Sequence, residues 1–176
     1  MRLVYRLEDK LFWIHNFLPN NFYKELHDMI FKSHRDVIES ADKTWNKVLL
    51  QNVKSPQRLR VSDTFNKQYT TLLKHQLFIN LTKQNISFIV HKMNRDAGIT
   101  WHSDGQRYAA TFYVNKRWNE NWGGEFMFKT ETQSGFIPVV GNSLVLVKAP
   151  LLHKVNTVLS PTIPRFSIQS FTEQMP

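Results

Sequence analysis

The sequence predicts an α+β fold: a closed antiparallel jelly roll with N-terminal helices packed on one of its sheets. Two segments with apolar residues at helical spacing come first. A long run of apolar, alternating segments punctuated by glycine turns follows. No internal repeat, low-complexity tract or linker breaks this order. Segregated helices and strands define the α+β class, and many short strands separated by turn signals close into a two-sheet barrel.

Taken in order, the elements begin with a short strand near 3–5. A helix is expected over about 20–40, started by Pro19 and Asn20 and carrying Phe22, Tyr23, Leu26, Met29 and Ile30 on one face. A second helix is expected over 63–77, where Phe65, Tyr69, Leu72 and Leu73 recur at helical spacing. Strands are then expected at about 86–93, 99–104, 107–114, 124–129, 136–140, 143–148, 153–159 and 165–172, with Gly123-Gly124 and Gly141-Asn142 at turns. A chain of 176 residues with 41% apolar content can bury one substantial core, and dividing it would leave two small ones. The expectation is therefore one domain over 1–176, with a helical support region at about 19–80 and the jelly roll at about 86–172.

Composition narrows the function classes. No apolar run reaches the length of a membrane span, and Arg2, Arg6, Glu8, Asp9 and Lys10 interrupt the N-terminus as no signal peptide would, so a cytoplasmic location without a membrane partner is expected. The absence of cysteine excludes disulfides and thiolate metal sites. A net charge of +9 favours acidic partners through steering without identifying one. Five basic residues, Lys43, Lys47, Lys54, Arg58 and Arg60, lie between positions 43 and 61 with Trp45 and no acid, a stretch that reads first as a solvated loop and second as a substrate contact.

The chemistry resides in a few side chains. His-x-Asp occurs twice, at His34 to Asp36 and at His102 to Asp104. The first copy lies in a helical pattern, where neighbours two apart point in nearly opposite directions, so His34 and Asp36 are set aside as ligands. The second follows Ile99-Thr100-Trp101, an extended lead-in on which positions i and i+2 share a face. His153 can join them only from another strand, which a closed sheet supplies. Two imidazoles and one carboxylate form the facial set of non-haem Fe(II) oxygenases, leaving positions open for a bidentate cosubstrate and oxygen. Downstream, the alternation in Arg165-Phe166-Ser167-Ile168-Gln169-Ser170-Phe171 puts Arg165 and Ser167 on one face of an otherwise apolar strand. Arginine is rarely buried unless paired, and its planar fork suits a carboxylate, so this strand calls for an anion.

These residues carry a resemblance. Trp101-His102-Ser103-Asp104, Tyr113-Val114-Asn115 leading through Trp118 to Gly123-Gly124-Glu125, then His153 and Arg165-Phe166-Ser167, are similar to the prolyl 4-hydroxylase-like branch of the Fe(II)/2-oxoglutarate oxygenases. That branch includes the hypoxia-sensing prolyl hydroxylases and small bacterial or viral relatives. Phe17-Leu18-Pro19 also looks like the lead-in to the family's first helix, so the resemblance spans most of 12–172. It implies a double-stranded β-helix, Fe(II) on His102, Asp104 and His153, and 2-oxoglutarate held by Arg165 with help from Ser167 and Tyr113. It also implies O2 as co-oxidant and ascorbate as a candidate reductant. The sequence departs from the branch before the first ligand: a tyrosine and a Pro-Gly turn give way to Met93-Asn94-Arg95-Asp96-Ala97-Gly98.

The activity so implied is hydroxylation of an unactivated C–H, with a protein or peptide proline as first expectation. Trp101, Arg107, Trp118 and Trp122 are candidates for the substrate entrance. Oxidative demethylation of nucleic-acid bases is the alternative, motivated by the basic charge. It ranks lower because relatives of that type carry a second arginine six residues after the first, where this chain has Phe171. A non-catalytic jelly-roll binding module and a zinc hydrolase complete the alternatives. The latter lacks any compact zinc motif and leaves Arg165 without a task.

Overall fold

A computed structural model describes residues 1–32, 37–40, 48–76, 87–105 and 107–172. Strands β1 (Arg2–Leu7) and β2 (Leu11–His15) form a hairpin and precede helix α1 (Asn20–Lys32). Then come β3 (Val37–Ser40), β4 (Gln57–Leu59) and helix α2 (Asp63–Gln76). The remaining strands are β5 (Ser87–Met93), β6 (Ile99–His102), β7 (Tyr108–Tyr113), β8 (Phe126–Lys129), β9 (Ser134–Ile137), β10 (Ser143–Lys148), β11 (Leu152–Val155) and β12 (Arg165–Thr172). One 3₁₀ turn, Glu120–Trp122, stands before β8.

These strands form two antiparallel sheets. The larger runs β1-β2-β10-β7-β12-β5-β4-β3 and the smaller β6-β11-β8-β9. Period-two alternation explains how the larger sheet carries two cores. On β10, Leu144 and Leu146 join the helix-facing cluster, whereas Val145 and Val147 join the cluster between the sheets. The helix-facing core centres on Phe112, which has no exposed surface and is ringed by Phe17, Tyr23 and Tyr69 at 6.1–6.2 Å between ring centroids. Truncating such a residue to alanine costs about 3–5 kcal/mol.

Local chemistry sets the helix starts. The Ser62 hydroxyl accepts from the Phe65 amide at 3.2 Å and caps α2. Buried Asn142, in the left-handed region at φ 56°, accepts from the Leu18 amide at 2.8 Å and donates to its carbonyl at 2.9 Å, tying the lead-in of α1 to the β10 turn. Among the described residues no helix is long and apolar enough to cross a membrane.

The structure corrects several boundaries. The described part of the first helix is Asn20–Lys32, and 37–40, expected to continue it, forms a strand that pairs with β4. β2 and β4 are strands that the sequence pattern does not announce, and β4 carries the larger sheet into the region expected to be helical support. The N-terminal strand is longer than 3–5, reaching Leu7. β8 begins at Phe126 because Gly123 and Gly124 hold positive φ. β9 spans 134–137 rather than 136–140, ending before Pro138, which has no amide to donate. β11 ends at Val155, and beyond it only an isolated bridge pairs Val158 with Gly123. His34, Asp36, Lys43, Trp45, Lys47 and Leu77 lie outside the described residues.

Candidate active site

β6 ends at His102, and Asp104 follows it off the strand, so the shared strand face expected for the pair is replaced by irregular backbone at 103–104. β11 pairs directly with β6 and places His153 opposite His102. One donor atom from each of His102, Asp104 and His153 lies within 4.8 Å of the others, a set able to hold a metal ion. The two imidazole centroids are 4.3 Å apart, His102 Nε2 is 3.6 Å from Asp104 Oδ1, and His153 Nε2 is 3.3 Å from Asp104 Oδ2.

The tautomers follow from the backbone. His102 Nδ1 lies 2.8 Å from the Thr100 carbonyl, and His153 Nδ1 lies 2.8 Å from the Leu151 carbonyl. A carbonyl oxygen only accepts, so both Nδ1 atoms carry the proton and both Nε2 atoms present lone pairs. Three acceptors therefore converge on one point, and Asp104 Oδ2 is buried without a hydrogen bond. A divalent cation resolves this crowding of lone pairs, and outer partners of this kind orient metal-bound histidines. Burial disfavours the Asp104 carboxylate, but the neighbouring His102 and His153 more than offset it and hold the group well below the usual carboxylate range. For His102 burial likewise works against the charged form, and Asp104 together with the Thr100 carbonyl raises its pKa. Phe126 stacks on His153 at 5.0 Å, walling that ligand with apolar surface.

The opposite wall belongs to the larger sheet. β12 lies between β7 and β5, which pairs Ser167 with Tyr113 on one side and with His91 on the other, and Arg165 with Met93. Arg165 has no exposed surface. Its Nη1 donates to Ser167 Oγ at 3.1 Å and contacts Met93 Sδ at 3.2 Å, and its guanidinium lies 4.9 Å from the Tyr113 ring centroid. Its Nε and Nη2, and the Tyr113 hydroxyl, have no hydrogen-bond partner. A buried cation with two idle donors beside an idle hydroxyl is half of an anion site. Burial also pushes the Tyr113 pKa up, against the opposing charge of Arg165, which keeps the phenol protonated as a donor.

Other residues shape this anchor. Asn115 donates to the Pro164 carbonyl at 2.9 Å and accepts from the Phe166 amide at 2.7 Å, fixing the start of β12. Gly124 lies against the Arg165 stem. Trp118 donates to the Gly123 carbonyl at 2.9 Å and packs edge to face on Trp122, so these tryptophans brace the Gly123-Gly124 turn. Trp101 departs furthest from its expected place at the entrance: alternation turns it away from His102 to the outer face of the smaller sheet, beneath Lys129 and Lys154. Arg107 is exposed three residues beyond Asp104, with its guanidinium 5.6 Å from the Tyr108 ring centroid. Met93, Gly124 and Asn115 carried sequence signals only as a departure, a turn and a motif letter, and none revealed its contact with the Arg165 strand.

Two sheets, with a His-Asp-His cluster able to hold a metal on one wall and a buried arginine on the other, form a double-stranded β-helix. The family model described as 2OG-Fe(II) oxygenase superfamily matches residues 88–173, the barrel segment of the chain. The family uses Fe(II) and 2-oxoglutarate with O2. The search of the curated proteins gave no match. Among solved structures, the chain is similar to a Pseudomonas putida prolyl-4-hydroxylase at 16% identity and TM-score 0.67, covering 92% of this chain and 91% of that one. It is also similar to a Trichoplax adhaerens prolyl hydroxylase in complex with a hypoxia inducible factor oxygen degradation domain peptide fragment, at 13% identity and TM-score 0.75, covering 93% and 83%. A non-heme alpha-ketoglutarate-dependent epimerase from nogalamycin biosynthesis shares the fold at 10% identity and TM-score 0.61, covering 92% and 77%.

Proposed function

We propose that this oxygenase hydroxylates an unactivated C–H of a protein or peptide, with a prolyl residue as the leading substrate. The observation that carries the cofactor assignment is the buried Arg165, with Nε and Nη2 unpartnered, across the barrel from the three-acceptor cluster. Similarity of fold to prolyl hydroxylases, one of them bound to a peptide, supports the substrate class.

In this reading His102 and His153 offer Nε2 and Asp104 a carboxylate oxygen to Fe(II), and Arg165, Ser167 and Tyr113 take the far carboxylate of 2-oxoglutarate. Held there, Fe(II) and 2-oxoglutarate would with O2 supply an oxidative decarboxylation to succinate and carbon dioxide, with one oxygen atom going to the substrate. The protein contributes position and dryness. The Thr100 and Leu151 carbonyls hold the imidazoles in the tautomer that presents Nε2. Ser167 orients Nη1 and leaves Nε and Nη2 for an incoming carboxylate. Phe126 and the adjoining cluster of Phe128, Val147 and Leu151 keep water from the reacting centre.

The test is a peptide screen with Fe(II), 2-oxoglutarate and ascorbate, reading succinate release and peptide mass. The expected result is stimulation by proline-containing peptides, which gain one oxygen atom. Turnover coupled only to free amino acids, nucleotides or methylated oligonucleotides would overturn the peptide assignment.

A further inference from the structure

Among the described residues the outer face of the smaller sheet is uncovered, and it is chemically uneven. Inward positions Phe126, Phe128 and His153 face the barrel, so alternation sends Met127, Lys129, Leu152 and Lys154 outward, with Trp101 on β6 and Phe136 on β9. Phe136 is 61% exposed and Trp101 36%, values unusual for large aromatics. They stand on the two edge strands of the sheet, three inter-strand steps apart, about 14 Å. Between them rise two lysines, whose Nζ atoms lie 4.7 Å (Lys129) and 5.4 Å (Lys154) from the Trp101 ring centroid. Neither lysine has a carboxylate partner among the described residues. None of the outward strand positions just named is acidic, and the chain carries +9 overall.

We propose that this face binds single-stranded nucleic acid, with bases stacking on Trp101 and Phe136 and phosphates meeting Lys129 and Lys154. An open antiparallel sheet with exposed aromatics is a stacking platform, and lysines set between the rings match the alternation of bases and phosphates along one strand. Charge selects among occupants: a second copy would oppose lysine to lysine. A duplex hides its bases from the rings, and an acidic peptide supplies anions with no planar group for the aromatics. The surface lies outside the barrel, so it stands or falls independently of the substrate assigned to the interior.

The experiment is fluorescence anisotropy of a labelled 15-nucleotide oligothymidylate against the full chain across a salt series. A matched duplex and polyglutamate serve as competitors. Binding is expected, with the single strand displaced by neither competitor at equal charge. Phe136→Ala should weaken it fivefold or more. Lys129→Gln and Lys154→Gln should each reduce the slope of log affinity against log salt by about 0.7. Lys24→Gln and Lys67→Gln, exposed on the helices, should change it little. Retention of the Fe(II)–2-oxoglutarate absorption band in each variant would show that the barrel is intact. No binding, preferential displacement by polyglutamate, or equal losses in the helix-lysine variants would overturn the proposal.

Discussion

Gly124 and Arg165 share a volume that only glycine permits. A Cβ on Gly124 would lie 2.8 Å from Arg165 Cδ and 3.5 Å from its Nε, and the backbone there holds φ at +78°. Gly124→Ala is therefore expected to displace the guanidinium and to add about 1–2 kcal/mol of backbone strain. The Michaelis constant for 2-oxoglutarate should rise tenfold or more while metal affinity stays within a few-fold. A parallel loss of both would show that the glycine serves the whole fold rather than the anchor.

Arg165 should trade stability for binding. A buried cation with two unused donors is costly before its anion arrives, and apolar replacement of buried charge is often neutral or stabilising. Arg165→Met is expected to melt at or above the wild-type temperature and to lose the thermal shift that 2-oxoglutarate confers on the wild type. A large drop in melting temperature would show that Ser167, Met93 and Tyr113 already satisfy the cation.

Protons and metal compete for the imidazoles. The raised pKa of His102 places its protonation at or above the ordinary histidine value, so metal-free protein holds a proton there as pH falls. Apparent Mn(II) affinity, measured by calorimetry, should weaken as pH falls through that pKa, by about tenfold per pH unit below it for each displaced proton. Asp104→Ala or His153→Ala should abolish the binding signal at every pH. A flat profile in the wild type would contradict the ligand assignment.

His91 supplies an acid-lability test. Burial, with the Arg165 and Arg58 cations adding to it, pushes its pKa down to about 3, whereas an unfolded histidine titrates near 6.5. The unfolded chain binds the extra proton between these values. The stabilisation is thus complete above about pH 6.5 and is lost as pH falls toward 3, at about 1.4 kcal/mol per pH unit. Denaturant titrations of His91→Gln should show that slope reduced by about one proton, and an unchanged slope would place the acid sensitivity elsewhere.

Residue identity made the site legible where it carried chemistry by itself. The three residues that converge, and the arginine that lies buried, were visible because a carboxylate between histidines and a charge in an apolar strand each demand a partner. Edge strands were less visible. β4 is three residues long and 37–40 pairs only with it, so both owe their conformation to the sheet rather than to local pattern. Met93 opens the stretch that stands where relatives carry a tyrosine and a Pro-Gly turn, and its sulfur contact with Arg165 depends on the β5–β12 register, which a linear sequence does not print. The outward turn of Trp101 was available in principle: a residue adjacent to His102 on a strand faces the other way.

The histidines stand on the four-stranded sheet and the arginine on the eight-stranded one, and among the described residues no backbone ladder joins the two. An iron–cosubstrate pair reaching from one to the other would act as a crossbar between plates otherwise held by side-chain packing and connecting loops. Loading the site should then slow amide exchange in β11 and β12 together, although they belong to different ladders. Losing either end of the crossbar should free both.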